Sequence, residues 1–291
     1  MKVASLAGSI VIMLVLLTLP VPRSLAGSPD MNAVYAPFQQ LLRRHLSEHL
    51  LPDGGLVSAF DYRAAFDDPE TARLLQRQNA MLAGFDPGQI DTRGRALAFW
   101  INAYNYFMIA WILENPRGGD LVESVRDDGH LLNPYRVFRR DLFDVGGTKH
   151  SLSGIELQIL LGDEFRERGW WDARVHFMVN CASVGCPPLR SDVYTAGNVE
   201  RLMGENTRMA LDTQLHLDRD GETLRLTSLF DWYEQDFVDH SGSVEEFIRE
   251  FGSPRALEAL EATSRREFID YDWSLNSPEN FRPLLREYTS R

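Results

Sequence analysis

The residues able to do chemistry converge on one stretch, Val175-His176-Phe177-Met178-Val179-Asn180-Cys181-Ala182-Ser183-Val184-Gly185-Cys186-Pro187-Pro188. It holds both cysteines of the chain together with an imidazole and a carboxamide. An apolar run that passes into small residues and two prolines predicts a strand from Arg174 to Asn180 leading into a loop. A thiol becomes a nucleophile when a base or cation holds it as thiolate and a further group orients that base. Cys181, His176 and Glu156 supply those types, with Asn102 or Asn105 as orienting or oxyanion group. On a regular strand His176 and Cys181 are an odd number of positions apart and face opposite sides. They meet only if the strand ends or bulges near Asn180.

The same residues admit other chemistries. Cys181 and Cys186 can close a small disulfide ring, which blocks a thiol nucleophile and stiffens a loop presenting Ser183 and the Pro187-Pro188 corner. A redox-active pair is a variant of this, although the spacing is longer than the usual two intervening residues. His176, Cys181 and Cys186 are also zinc-type ligands, but their spacing matches no standard structural-zinc pattern, and no metal is expected. His45 and His49 have the i,i+4 spacing of a helical metal site, yet no acidic partner follows at the right place. They read instead as polar edges of an amphipathic face. No Gly-rich phosphate loop, Ser nucleophile elbow or His-Glu-x-x-His pattern is found, so no cofactor is expected and the common hydrolase classes are disfavoured.

The surrounding chain says where this chemistry would operate. Met1-Lys2, an apolar run from Val3 to Val21 and Ser24-Leu25-Ala26 predict a signal peptide cleaved after Ala26, with an uncleaved anchor as the alternative. The expected product is periplasmic or secreted, with no stable membrane insertion after cleavage. Removing Lys2 and Arg23 takes the formal net charge from −12 to −14. Such a balance argues against nucleic acid as a partner and against anionic membranes. The expected partner is a small-molecule, peptide or envelope substrate of unknown identity. Residues 27–291 show no low-complexity linker and no repeat, so one domain is expected.

The elements that must position the site follow from periodicity. Met31 to Leu50 predicts a first helix, stopped by Pro52-Asp53-Gly54-Gly55. Asp68-Pro69 opens a second. Ala96 to Leu113 is apolar nearly all round and predicts a central buried helix carrying Trp100, Asn102 and Asn105. The asparagines either fix a neighbouring loop's backbone or bind substrate. Asp120 to Asp127 predicts a short helix. Phe143 to His150 reads as a hairpin turning on Gly146-Gly147, with His150 exposed. Ser153 and Glu156 form a capping-box pattern, a structural role that competes with catalysis for Glu156. Thr195 is expected to cap a helix to Leu211. A hairpin spans Gln214 to Leu226. Leu229 to Phe237, aromatic and acidic together, reads as helical, and Phe268 to Trp273 alternates like a final strand. The fold class is α+β, a helix-rich single domain with a small antiparallel or mixed sheet.

Six motifs in order carry a resemblance. They are Phe99-Trp100-Ile101-Asn102-Ala103-Tyr104-Asn105, Leu152-Ser153-Gly154-Ile155-Glu156, Asp172 to Phe177 with Asn180-Cys181, Cys186-Pro187-Pro188-Leu189, Tyr194-Thr195-Ala196, and Phe230-Asp231-Trp232-Tyr233 with Asp236-Phe237. Together they resemble the domain of unknown function 547 family (DUF547) over roughly Arg93 to Phe251. The family name implies no established activity. One departure is Leu157, where the family often has His. The expected pocket lies where the Trp100–Asn105 helix meets the Asn180–Pro188 loop, with Glu156 and His176 nearby. Two readings stand: a thiol-dependent hydrolase or transferase using Cys181, His176 and Glu156, with Asn102, Asn105, Trp100 and Asn180 around the substrate, or a disulfide-stapled interaction module of the cell envelope.

Overall fold

The computed structural model describes residues 33–128 and 135–290; the expected signal peptide lies outside them. Helix α1 (Ala36–His45) buries Pro37, Phe38, Leu41 and Leu42 on one face, as its spacing predicts. Its expected continuation to Leu50 does not form. Leu46–Leu50 is strand β1, paired antiparallel with β2 (Leu56–Phe60) across the Pro-Asp-Gly-Gly turn. Pairing with the wholly buried β2 decides the conformation of a segment whose own preference is weak. His45 and His49 therefore share no helical face, and His45 instead lies 3.4 Å from Asp68.

Helices α2 (Tyr62–Asp67) and α3 (Pro69–Gly84) follow, with Asp68 capping α3 as read from the sequence. Helix α4 (Arg93–Glu114) is the centre of the fold: every residue from Ala96 to Leu113 is buried. It is long and apolar enough to cross a membrane, but the protein itself covers it. Tyr35, Phe85, Phe38 and Phe143 pack against its aromatic side chains. The short helix expected over Asp120–Asp127 is a 3-10 turn at Val125–Asp128, followed by α5 (Arg136–Arg139). The hairpin of β3 (Phe143–Val145) and β4 (Thr148–His150) forms as read. His150 is partly buried, edge-on to Trp100 at 5.3 Å, rather than exposed.

Two expectations near the site fail. Gly154–Leu160 is a π-helical turn, not a capped α-helix, and Ala173–Phe177 is a 3-10 helix, not a strand. The second segment packs against helix rather than beside a strand, so its backbone must satisfy its hydrogen bonds locally. Asp172 fixes its start by accepting from the Arg174 N–H. Helix α6 (Asp163–Glu167) lies between the two.

Helix α7 (Val199–Leu211) begins after Asn198, whose side-chain oxygen accepts from the Thr195 N–H; the expected Thr195 cap is thus reversed. Strands β5 (Leu217–Asp220) and β6 (Thr223–Thr227) form the hairpin. Helices α8 (Leu229–Trp232), α9 (Glu234–Ser241), α10 (Val244–Phe251) and α11 (Pro254–Glu261) wrap a second core of Phe177, Phe230, Phe237 and Phe247. Strand β7 (Arg265–Ile269) then lies parallel to β6, earlier than the expected Phe268–Trp273 strand, and α12 (Pro278–Ser290) follows. Among the described residues, a mixed three-stranded sheet, two antiparallel hairpins and twelve α-helices make the fold α+β and helix-rich.

Candidate functional site

Asparagines hold the cysteine loop in place. Asn105 on α4 donates to the Met178 carbonyl at 3.0 Å and accepts from the Asn180 N–H at 2.8 Å. Asn102, one turn earlier, makes the same two-way bond with the backbone of Tyr194, donating at 2.8 Å and accepting at 3.0 Å. Asn180 donates to the Pro187 carbonyl and accepts from the Ala182 N–H and from Asn276. Asn206 on α7 donates to the carbonyls of Phe177 and Pro188. These buried amides replace the ladder that a strand would have provided. Asn102, Asn105 and Asn180 are occupied by backbone, and Trp100 packs against Phe99 and His150. The cleft described below is lined by none of the four.

Cys181 and Cys186 are joined by a disulfide. Ala182, just inside the ring, holds a left-handed φ of 62°, which turns the loop sharply. The Cys186 sulfur faces the N–H of Cys181 at 3.0 Å and that of Ser183 at 3.4 Å. The Tyr271 hydroxyl reaches both sulfurs, 3.0 Å from Cys181 and 3.1 Å from Cys186. Burial pushes the Tyr271 pKa well up, so the phenol stays protonated and donates. Gly185 makes this approach feasible: a Cβ there would press on the Tyr271 ring and the Asp272 backbone, both at 3.1 Å. In the bonded state Cys181 has no thiolate for attack, and neither cysteine has one to offer a metal. Among the described residues no cluster of three or more His, Cys, Asp or Glu is placed to hold a metal ion.

His176 is buried on the 3-10 turn, its ring stacked on Tyr233 with centroids 4.0 Å apart. Its Nε2 lies 2.8 Å from Asp236 Oδ2 on α9, and its Nδ1 lies 3.5 Å from Glu156 Oε1. Both ring nitrogens thus face carboxylates, leaving neither for a sulfur. Burial is the largest single influence on His176 and pushes its pKa down. The hydrogen bond to Asp236 and the Glu156 carboxylate outweigh it together, and the pKa is raised. The π-helical turn aims Glu156 inward at this imidazole, away from Ser153, which makes no side-chain cap. Such turns recur at functional sites. Tyr104 and Tyr233 complete the floor. Burial foremost, and Glu156 after it, raise the Tyr104 pKa; Glu156 foremost, and burial after it, raise that of Tyr233.

Glu156, His176 and Cys181 line one cleft of about 480 Å³. Its walls are Tyr135, Phe138, Trp232, Tyr271 and Trp273, with Leu157 and Arg139 also along it. Trp232, Tyr271 and Trp273 form one aromatic face, with centroids 4.6–5.9 Å apart. Trp232 is 45% exposed and Leu157 43%. Residues 89–209 match the family described as protein of unknown function, DUF547. No curated protein and no solved structure matches the chain.

The DUF547 segment supplies Tyr104, Glu156, His176 and both cysteines. Tyr135, Phe138 and Leu157 also come from it, whereas Trp232, Tyr233, Tyr271 and Trp273 line the cleft from beyond it, and Asp236, also beyond it, stands behind His176. Sequence reasoning missed Asp236 and Tyr271 as partners of the site. Their signals were an acid set among the aromatics of Leu229 to Phe237 and the Tyr-Asp-Trp run after β7. Leu157, where the resemblance leads one to expect His, stands on the wall of this cleft.

Proposed function

We propose that this chain is an exported, disulfide-bridged ligand-binding protein of the cell envelope, and that its cleft takes an amine-bearing organic molecule or peptide side chain. The observation that carries this reading is the union of aromatic walls with a buried carboxylate floor in one cleft. Its volume is that of ordinary small-ligand sites. A cationic head is attracted to the faces of aromatic rings, and a carboxylate completes its neutralisation. The Arg126 guanidinium already lies 5.6 Å from the Tyr135 ring and 5.7 Å from that of Trp273, so these rings accept cations. The formal charge of −12 favours the approach of such ligands. The signal-like residues 1–26 and the Cys181–Cys186 bridge support an oxidising compartment outside the cytoplasm. The test is thermal unfolding with phenethylammonium and with 2-phenylethanol as its neutral match. The amine should raise Tm saturably, the alcohol should not, and Glu156→Gln should abolish the difference. Equal responses, or none, would defeat the reading.

A second reading is a thiol-dependent hydrolase or transferase, favoured by the placement of Cys181, His176 and Glu156 on one cleft. It requires the disulfide to be opened and one His176 nitrogen to leave its carboxylate for the Cys181 sulfur. Acyl-ester hydrolysis that arises on reduction and vanishes in Cys181→Ser would support it; hydrolysis unchanged by either would remove it.

A further inference from the structure

The geometry points to a redox activity beyond ligand binding: the Cys181–Cys186 disulfide is a thiol–disulfide exchange centre that oxidises a dithiol substrate in the cleft, with Cys181 the sulfur attacked and Cys186 the leaving thiolate. Three donors converge on the Cys186 sulfur: the N–H of Cys181, the N–H of Ser183 and the Tyr271 hydroxyl. A disulfide sulfur is a weak acceptor, so these donors are poorly satisfied while the bridge is intact. A thiolate is a far better acceptor, and hydrogen bonds to the charged form stabilise it. The site is therefore built for the reduced state of Cys186 more than for the oxidised one. A stabilised leaving thiolate speeds exchange, and a stabilised reduced form makes the bridge a stronger oxidant.

Access fixes which sulfur is attacked. Both cysteines line the cleft, but Cys186 is 5% exposed, whereas Cys181 is only partly buried. Trp232 and Trp273 offer an apolar face on which a peptide or small organic thiol can rest.

A substrate thiolate bonds to the Cys181 sulfur while the Cys181–Cys186 bond breaks, and its electron pair leaves on Cys186. The second substrate thiol, deprotonated, then attacks the substrate sulfur of the mixed disulfide and expels Cys181 as thiolate. One substrate dithiol becomes a disulfide, the bridge becomes two cysteines, and the two substrate protons pass to them through solvent.

Two measurements on the full chain test this. First, the folded oxidised protein is mixed with reduced glutathione, quenched with acid and mapped by peptide mass. The mixed disulfide should sit on Cys181, and reduction should slow about tenfold in Tyr271→Phe. A mixed disulfide on Cys186, or a bridge that resists glutathione until the protein unfolds, overturns the proposal. Second, thiolate absorbance near 240 nm is titrated in the single variants Cys181→Ser and Cys186→Ser. The Cys186 thiolate, seen in Cys181→Ser, should form at least one pH unit below the Cys181 thiolate, seen in Cys186→Ser; an equal or reversed order overturns it. The thiolate titration uses no amine, so its outcome is independent of the ligand class proposed above.

Discussion

Asn105 is the joint between the central helix and the cysteine loop, and its removal gives the sharpest structural prediction. Its amide is 1% exposed and makes two backbone hydrogen bonds, to the Met178 carbonyl and from the Asn180 N–H. Asn105→Leu keeps roughly the volume and deletes both bonds. The Asn180 N–H and the Met178 carbonyl are then stranded in the core, at about 1–3 kcal/mol for each unpaired group. The expected loss of stability is roughly 2–6 kcal/mol, with Asn105→Ala at the upper end because it also leaves a cavity. Urea unfolding followed by far-ultraviolet circular dichroism and tryptophan fluorescence measures it. A loss below about 1 kcal/mol at unchanged m value would mean that the two backbone groups find other partners, and the account of the loop as hung from asparagines would fail.

Other perturbations act on the ionisable groups and the bridge. Asp172, with its side chain 4% exposed, binds both Arg93 and Arg174 at 2.6 Å; both arginines are partly exposed and keep Glu200 as a partner, so Asp172→Asn should cost only about 1–3 kcal/mol in lost charged hydrogen bonds, read from urea midpoints. The His216 pKa is lowered by burial to about 4. Stability should therefore be complete above the unfolded-state value near 6.5 and fall as the pH drops towards 4, by up to roughly 3 kcal/mol; nuclear magnetic resonance should find its ring neutral at pH 5.5. His176 has the opposite sign. Its raised pKa gives a stabilising contribution that is complete below the unfolded-state value and lost as the pH rises through the folded one, and Asp236→Asn should bring its titration down. Replacing both cysteines by Ser should cost about 2 kcal/mol, the chain entropy of so short a ring, and urea midpoints of the two proteins measure it.

The legible parts of the sequence are those set by burial or by local turn chemistry. The apolar run from Ala96 to Leu113 forms the buried centre of α4, and the Gly146-Gly147 hairpin stands where its turn residues put it. The motifs that carry the family resemblance are spread across the elements that form the cleft. Conformation was misread where tertiary partners decide it. Leu46–Leu50 continues a helical pattern yet pairs with β2, and Arg174–Asn180 has a strand's composition yet finds asparagine side chains where a neighbouring strand was needed. Ser153 and Glu156 have the spacing of a capping box, but the π-helical turn carries Glu156 to His176 instead. Partners far along the chain left the weakest trace. Asp236 reaches His176 across 60 positions and Tyr271 reaches Cys181 across 90, separations at which local patterning is silent.

The central claim is that the aromatic cleft with its Glu156 floor is the binding site, and the most direct measurement is a crystal structure after soaking with phenethylammonium. The phenyl ring should lie against Trp232 and Trp273 and the ammonium within about 3 Å of the Glu156 carboxylate. A ligand bound elsewhere while the cleft stays open, or one seated there with its ammonium turned away from Glu156, would contradict it.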